Sequence, residues 1–323
     1  MTISQGGIIQ ATDYNTLRST VSNLLGTTGS GDYGYGQTVT ADTAVIADST
    51  IVSAATTTTK QWVALYNDMK KIADHQGGTS TTAINSLTTA YTNNIKSGSI
   101  IQYSDINLIS TTLTTLVNNR LNIVAGQYSD ENLLDSVGAV ITSTRSTQWG
   151  APNKTTVQHS FRVTFASAND ARYFFNAGGQ IRFSASRTGG TSTTQNNDWS
   201  NLLTAMGTIA FGQASVTASS GNTQYGFKDI TSGTLVYSKG GYNATGGASY
   251  SNNDYNITAT KNDEVLSFNI YFNDDAKNQT NQTWGLYDYV DGTLTSTIQI
   301  RRPTGSNVTI SAPVGSNTVR LSD

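Results

Sequence analysis

Leu17, Val21, Leu24 and Leu25 recur at helical spacing near the start of the chain, and 92 residues later Ile109, Leu113, Leu116 and Val117 repeat the same stripe. Apolar residues three and four apart line one face of a helix, so both segments are expected to be amphipathic helices. Between them Trp62, Leu65, Met69, Ile72 and Ala73 mark another, ending at "HQGG", where Gly77 is a good stop. Ile84, Leu87, Tyr91 and Ile95 suggest a fourth. From about Ile141 the period falls to two: Val157, His159, Phe161, Val163 and Phe165 share one face of "VQHSFRVTF" and Gln158, Ser160, Arg162 and Thr164 the other. "GQIRFSAS", "GTIAFGQASVTA", "TLVYSKG", "YNITATK", "VLSFNIYFN" and "LTSTIQIRR" read as further strands between Gly, Asn and Asp turns. One helix, with Trp199, Leu202, Leu203 and Met206 following Asp198 and Gly207 closing it, interrupts them. The expected fold is α+β and multidomain: an N-terminal helical docking region over residues 1–138, then an all-β sandwich or jelly roll over 139–323 with that one short inserted helix.

The two stripes follow a repeated phrase. "GGIIQATDYNTL" at Gly6 returns as "GSIIQYSDINLI" at Gly98, so the internal repeat runs Gly6–Leu25 and Gly98–Val117; a clipped third copy, "GQYSDENLL", starts at Gly126. Thr12, Ser104 and Ser129 precede Asp13, Asp105 and Asp130, with Asn15, Asn107 and Asn132 two residues further on. A hydroxyl at the N-cap accepts a bond from an orphan backbone N–H, and an Asp in the first turn suits the positive end of the helix dipole. Each copy is therefore expected to start a helix, with Thr12, Asp13, Asn15, Ser104, Asp105 and Asn107 as the start residues of an assembly module. Ile8 and Ile9, ahead of the first cap, are placed to staple onto the first turn or to pair as a short strand. The Gly-rich stretch after the first helix, "GTTGSGDYGYGQTVTADTAVIADSTIV", is long enough to lie along a neighbour.

Composition narrows the partners. Lys and Arg total 19 against 21 Asp and Glu, for a net charge of −2 and a charged fraction of 12%, well below the roughly 25% usual for soluble domains. The surface must be polar without being ionic, which gives copies of the chain hydrogen bonds with little Coulomb repulsion and favours homo-oligomers. Such contacts survive molar salt, where the Debye length falls to about 3 Å. The densest cationic pairs are Lys70-Lys71 and Arg301-Arg302, too few for a nucleic-acid surface. There is no cysteine, hence no disulfide, thiolate nucleophile or Cys-ligated zinc. No apolar run reaches membrane-span length and "MTISQGGIIQ" carries no secretory signature, so a cytoplasmic origin without membrane insertion is expected. Sequons such as Asn281-Gln282-Thr283 are compositional.

Candidate chemistry is sparse. "GSGDYG" at Gly29–Gly34 matches the dinucleotide fingerprint as a string, but a helix precedes it where a strand is needed. Its glycines better suit a bending loop with Tyr33 and Tyr35 as partner anchors. His75, at a helix C-terminus, suits a partial positive charge, and His159, on an apolar strand face, suits a satisfied core position. Neither comes with a nucleophile motif. Asp274-Asp275, Asp288 and Asp291 are the acidic clusters; they fit turns between strands better than a glycosidase pair or a calcium loop. No catalytic residue, cofactor site or metal site is therefore assigned. Tyr225, Phe227, Tyr242, Tyr250, Tyr255, Trp284, Tyr287 and Tyr289 lie in Gly- and Asn-rich loops, and either a glycan or protein contact through Tyr242, Tyr250 and Tyr255 or packing in the sandwich core would use them.

"GGIIQATDYNTLRSTVSNLLG", followed by "GYGQ" and a tryptophan helix ending "DHQG", resembles the N-terminal part of virion structural proteins of tailed bacteriophages, particularly of marine cyanobacteria. "DARYFFNAGGQIRFSASRTGG" with "NNDWSNLLTAMGTIAFG" resembles a β domain that recurs in the same proteins. The resemblance covers under half the chain, Gly6 to Gly77 loosely and Asp170 to Gly212 more closely. It implies location and partners: a virion subunit of collar, tail-fibre, fibre-adaptor or capsid-decoration type, assembled in the host cytoplasm and docked to neck, tail or capsid proteins. No ligand or catalytic residue is carried by it. A receptor-binding protein for host surface glycans is the alternative expectation, and a polysaccharide depolymerase a more distant one.

Overall fold

The computed structural model describes residues 9–42, 59–94, 100–150, 156–240, 250, 252–275 and 289–322. The chain is α+β and divides into two compact units. The first holds Met1–Ser129 with two later stretches, Arg172–Gly179 and Arg302–Ile310; the second holds Asp130–Ala171, Gln180–Arg301 and Ser311–Asp323.

The first unit carries four helices, α1 (Ala11–Leu25), α2 (Thr59–Gln76), α3 (Gly78–Asn94) and α4 (Tyr103–Asn118). The apolar stripes face inward as their spacing requires: Leu17, Val21, Leu24 and Leu25 of α1 and Ile109, Leu113 and Leu116 of α4 are buried. They meet Trp62, Leu65, Met69 and Ile72 of α2 and Ile84 and Leu87 of α3 in one apolar interior. Tyr14 packs edge-on against Trp62 at 5.1 Å and donates its hydroxyl to the Gln61 carbonyl at 3.2 Å. Tyr66 stacks on Tyr91 at 4.1 Å. Gly77 stops α2 with φ of 69°, in the left-handed region, and a Cβ there would collide with Val124.

The helix starts differ from expectation by two residues. The N-caps are Gln10 and Gln102, so Thr12 and Ser104 lie inside the first turn and cap nothing. Asp13 and Asp105 occupy the third helical position and reach back, accepting the Gln10 backbone N–H at 2.7 Å and the Gln102 N–H at 2.9 Å. Glutamine at the N-cap and aspartate at N3 form a capping box with the usual chemistry in unusual residues. Asn15 and Asn107 follow within the helices. The third copy starts no helix: Tyr128–Asn132 is strand β1. Its Asp130 is bonded by Arg301 at 2.9 Å and lies 3.1 Å from Arg182, both on strands of the same sheet, so the charge that would stabilise a helix start is satisfied by a sheet.

The second unit is built on two antiparallel sheets. Its strands are β2 (Thr142–Arg145), β3 (Trp149–Gly150), β4 (Thr156–Thr164), β5 (Gln180–Thr188), β6 (Ile209–Phe211), β7 (Val216–Thr217), β8 (Asn222–Thr223), β9 (Thr234–Gly240), β10 (Asp254–Asn262), β11 (Val265–Asn273), β12 (Tyr289–Val290), β13 (Thr293–Pro303) and β14 (Val314–Ser322). One sheet runs β1-β13-β5-β6-β7, with β2 also pairing β13; the other runs β14-β4-β11-β10-β9-β8; β12 and β3 form a short ladder of their own. Alternation sends Val157, His159, Phe161 and Val163 of β4 inward, as their period of two requires. Phe268 of one sheet touches Phe183 and Phe211 of the other at 4.9 and 5.2 Å.

Two helices, not one, interrupt the strands. α6 (Thr194–Met206) begins four residues before Asp198, capped by Thr193, whose side chain accepts the Asn196 N–H at 3.2 Å. The unexpected α5 (Ala168–Asn176) opens with Ser167, which accepts the Asp170 N–H at 3.1 Å. Its buried Ala171, Phe174 and Phe175 fall at helical spacing inside a stretch short enough to pass for a turn.

The capping geometry makes a discriminating prediction. Asp13→Ala and Asp105→Ala each lose the bond to the N-cap N–H and are expected to lower unfolding stability by about 1 kcal/mol. Thr12→Ala and Ser104→Ala should stay within about 0.5 kcal/mol of the parent, as exposed positions away from caps do. Denaturant titration of the four variants measures both.

Candidate interaction surface

Residues 26–42 of the Gly-rich segment behind α1 fold back on their own unit, and the rest of that segment lies outside the described residues. Tyr35 is fully buried: its hydroxyl donates to the Arg120 carbonyl at 2.6 Å and accepts from Gln76 Nε2 at 2.9 Å, and its ring lies 5.2 Å from that of His75. Burial pushes its phenol well above the usual range. Tyr33 is half-buried under the Arg120 guanidinium, 5.0 Å above its ring. Arg120 also pairs with the Asp32 carboxylate. Arg172 Nη1 donates to the carbonyls of Gly29 and Tyr33, and Asn176 Nδ2 donates to Tyr33 at 2.7 Å and Gly31 at 3.3 Å. Gly36 has φ of 70° and lies against Tyr173 so closely that a Cβ would enter the ring. The expected partner anchors are therefore internal ones: Tyr35 is core, and Tyr33 is a lid under an arginine.

Sequence reasoning missed Arg120, Arg172 and Asn176, the three side chains that hold this loop. The helical spacing of "DARYFFNAGG" was the available signal. A cavity of about 280 Å³ remains beside the loop, lined by Thr20, Asn23, Thr28, Tyr33 and Val117 among others. Its lining is uncharged and suits a neutral polar group. "GSGDYG" follows a helix and turns through the Tyr33 N–H to Ser30 carbonyl bond, without the strand that a dinucleotide site requires.

Both histidines are interior. His75 Nε2 bonds the Ala177 carbonyl at 2.9 Å, and burial lowers its pKa to about 4. The ring is neutral at pH 7, contrary to the expected positive charge at a helix end. His159 Nδ1 meets Ser296 Oγ at 2.8 Å between the two sheets; burial, with the nearby Arg145 charge, lowers its pKa to about 4.

Among the acidic residues, Asp274 is buried and accepts Gln195 Nε2 at 2.7 Å. Asp291 accepts Arg187, Asn196 and the Thr191 backbone, which ties the β12–β13 turn to the start of α6. Asp275 closes the described part of its loop, and Asp288 lies outside the described residues. Among the described residues no group of three metal-ligating side chains occurs. No helix among them is long and apolar enough to cross a membrane.

The loop aromatics divide. Tyr255 is a core residue of β10, 5.0 Å from Phe272, and Phe227 is buried beneath Lys261. Tyr250 is partly exposed, while Tyr225 and Tyr289 are exposed. Tyr242, Trp284, Tyr287, Ile8, Ile95 and the Asn281 sequon lie outside the described residues.

What remains outward is unusual in kind. The exposed side chains of α3 among the described residues are Thr79, Thr82, Asn85, Ser86, Thr89, Thr92 and Asn93, beside exposed Gly78, and the helix carries no charged residue. Its hydroxyls turn back on the helix: Thr82 donates to Gly78, Ser86 to Thr82, Thr88 to Ile84 and Thr92 to Thr88. α1 and α4 do the same through Thr16, Thr20, Thr111, Thr114 and Thr115. Each i−4 bond places the hydroxyl donor on the helix's own backbone. Comparison with protein families, with curated proteins and with solved structures finds no match.

The histidine environments set an acid limit. Both rings titrate near 4 in the folded chain and 6.5 when unfolded, so the unfolded chain binds more protons between those values. Their contribution is complete above pH 6.5 and is lost as pH falls toward about 4. The urea midpoint should therefore decline from pH 7 to pH 5, above the range in which most carboxylates titrate. A His159→Gln variant should show a shallower decline.

Proposed function

We propose that the chain is a non-enzymatic architectural subunit of a tailed phage particle, of collar, tail-fibre or fibre-adaptor type, working by self-association and by docking to other virion proteins. On this reading the helical unit is the docking region and the two facing sheets form a β-sandwich. The observation that carries the proposal is the outer face of α3, continued on α4. Covering that face strips water from no ion and from few free hydroxyl donors, which leaves the Asn85 and Asn93 amides as the polar groups a partner must satisfy. A helix face turned to water ordinarily mixes charged with polar residues, and α3 has only the latter. The phage resemblance of the α1 phrase and of the α5–α6 region supplies the location, and the low net charge of −2 agrees with close packing of many copies. A second reading, glycan binding, draws support from exposed Tyr225 and Tyr289 at the strand ends of the second unit.

A triple variant, Thr82→Lys, Ser86→Lys and Thr89→Lys, tests the docking face. Lysine is a good helix former, so helicity and unfolding midpoint should hold. Self-association measured by sedimentation should weaken by about 10-fold or more, as charge is placed where another chain packs. Unchanged association would remove α3 from the interface.

A further inference from the structure

The second unit contains a strand whose outer edge is built for pairing. β14 ends its sheet and pairs with β4 in one unbroken register from Val314 opposite Thr164 to Ser322 opposite Thr156. Such edges are commonly protected by shortness, a bulge, a proline or an inward lysine. The opposite edge of the same sheet, β8, spans only Asn222–Thr223. β14 spans nine residues with no bulge, no proline and no lysine.

The direction of its backbone groups is set by one bond. The Gly315 N–H donates to the Leu134 carbonyl at 2.7 Å, away from β4. With a period of two, the N–H and C=O groups of Asn317, Val319 and Leu321 point the same way. Leu134 takes the first of these positions and β2 lies beside the strand at Asn317; among the described residues no backbone bond reaches the outer edge beyond Gly315, and residues 316–320 are exposed around Val319. Val319 shares the core-facing side of β14 with Asn317, whose side chain bonds Thr142 and Ser143 of β2. Val319 is nevertheless 38% exposed, because the sheet stops there.

We propose that this edge pairs with β14 of a second copy of the chain, antiparallel about a two-fold axis through Val319, so that the sheet continues from one copy into the next. The sequence of the strand is compatible with itself in that register. Val319 meets its own counterpart on the apolar side, and Arg320, the only charge in residues 314–322, falls opposite Thr318 and not opposite another arginine. The axis keeps like faces together, as an isologous contact requires. So short a pairing buries less than the roughly 1,600 Å² of a standard interface, so it is concentration-dependent and suits a subunit held by several contacts at once. The proposal deepens the assembly reading and rests on it, but uses a different surface from α3.

The test is Val319→Pro in the full chain. The Val319 N–H points away from β4, so proline removes an outward donor and spares the internal ladder. Sedimentation over a wide concentration range should show self-association at least about 10-fold weaker than the parent, with the circular dichroism unchanged. Should the variant misfold, amide exchange on the parent decides: the N–H groups of Asn317, Val319 and Leu321 should slow as concentration rises. Association unaffected by the proline in a folded variant, or exchange independent of concentration, overturns the edge pairing. If the α3 lysine variant still weakens association in that case, the assembly reading stands without the edge; a parent that is monomeric at every concentration overturns the pairing directly.

Discussion

The helical unit depends on the side chain of Gln76. It is buried, and its amide makes three bonds: Nε2 donates to the Tyr35 hydroxyl and to the Leu116 carbonyl, each at 2.9 Å, and Oε1 accepts from Ser80 at 2.6 Å. One group thus joins the end of α2 to the Gly-rich loop, the last turn of α4 and the first turn of α3. A buried amide left partly unsatisfied costs more than the bonds it makes return, so the network specifies one arrangement of these four elements and penalises near misses. Tyr35 passes the constraint on through its hydroxyl to Arg120, which holds Asp32 and lies over Tyr33. The glycines that surround these residues let the loop come close enough for those bonds to form.

The same economy of charge governs both units. Several interior polar groups meet neutral partners: two neutral imidazoles, the Gln76 amide, and Ser296 against His159 between the sheets. On the outside of the helices the hydroxyls are folded onto their own backbone. A protein with few ions to desolvate presents surfaces that cost little to cover, and association is then decided by shape and by unpaired backbone groups more than by Coulomb attraction. The assembly proposal and the β14 proposal both draw on this property, at different places.

Periodicity made most of the fold legible. Four helices and the main strands fall where three-to-four and two-residue spacings put them, because burial of an apolar face imposes those spacings directly. The errors came where a second demand competed. Thr12 and Ser104 have the residue type preferred at an N-cap, yet the box uses Gln10 and Gln102, since the aspartates at N3 fix the register of the first turn. Tyr35 and Tyr255 sit in loop-like or turn-rich sequence, and nothing local distinguishes a tyrosine whose hydroxyl finds a distant carbonyl from one that meets solvent. β14 lacks apolar alternation because it is an edge exposed on both sides, so the signal that marks central strands is missing by construction. The arginines that hold the loop come from distant parts of the chain, a distance that no local pattern encodes.

The repeated phrase shows where sequence identity stops carrying meaning. In its first two copies an isoleucine pair and glutamine precede a helix, and the aspartate at N3 closes the same box at nearly the same length. Their surroundings differ: Asp13 is half-buried and Asp105 buried. The shared letters therefore encode the same local helix start in two different surroundings. The third copy keeps the aspartate but lacks the isoleucines and the apolar helical stripe that follows. With no buried face to reward a helix, Arg301 and Arg182 draw the carboxylate into a sheet, and the Arg301 hydrogen bond holds it below the usual carboxylate range. What decides the fate of the phrase is the period of the residues after it, a tertiary demand that outweighs the local signal.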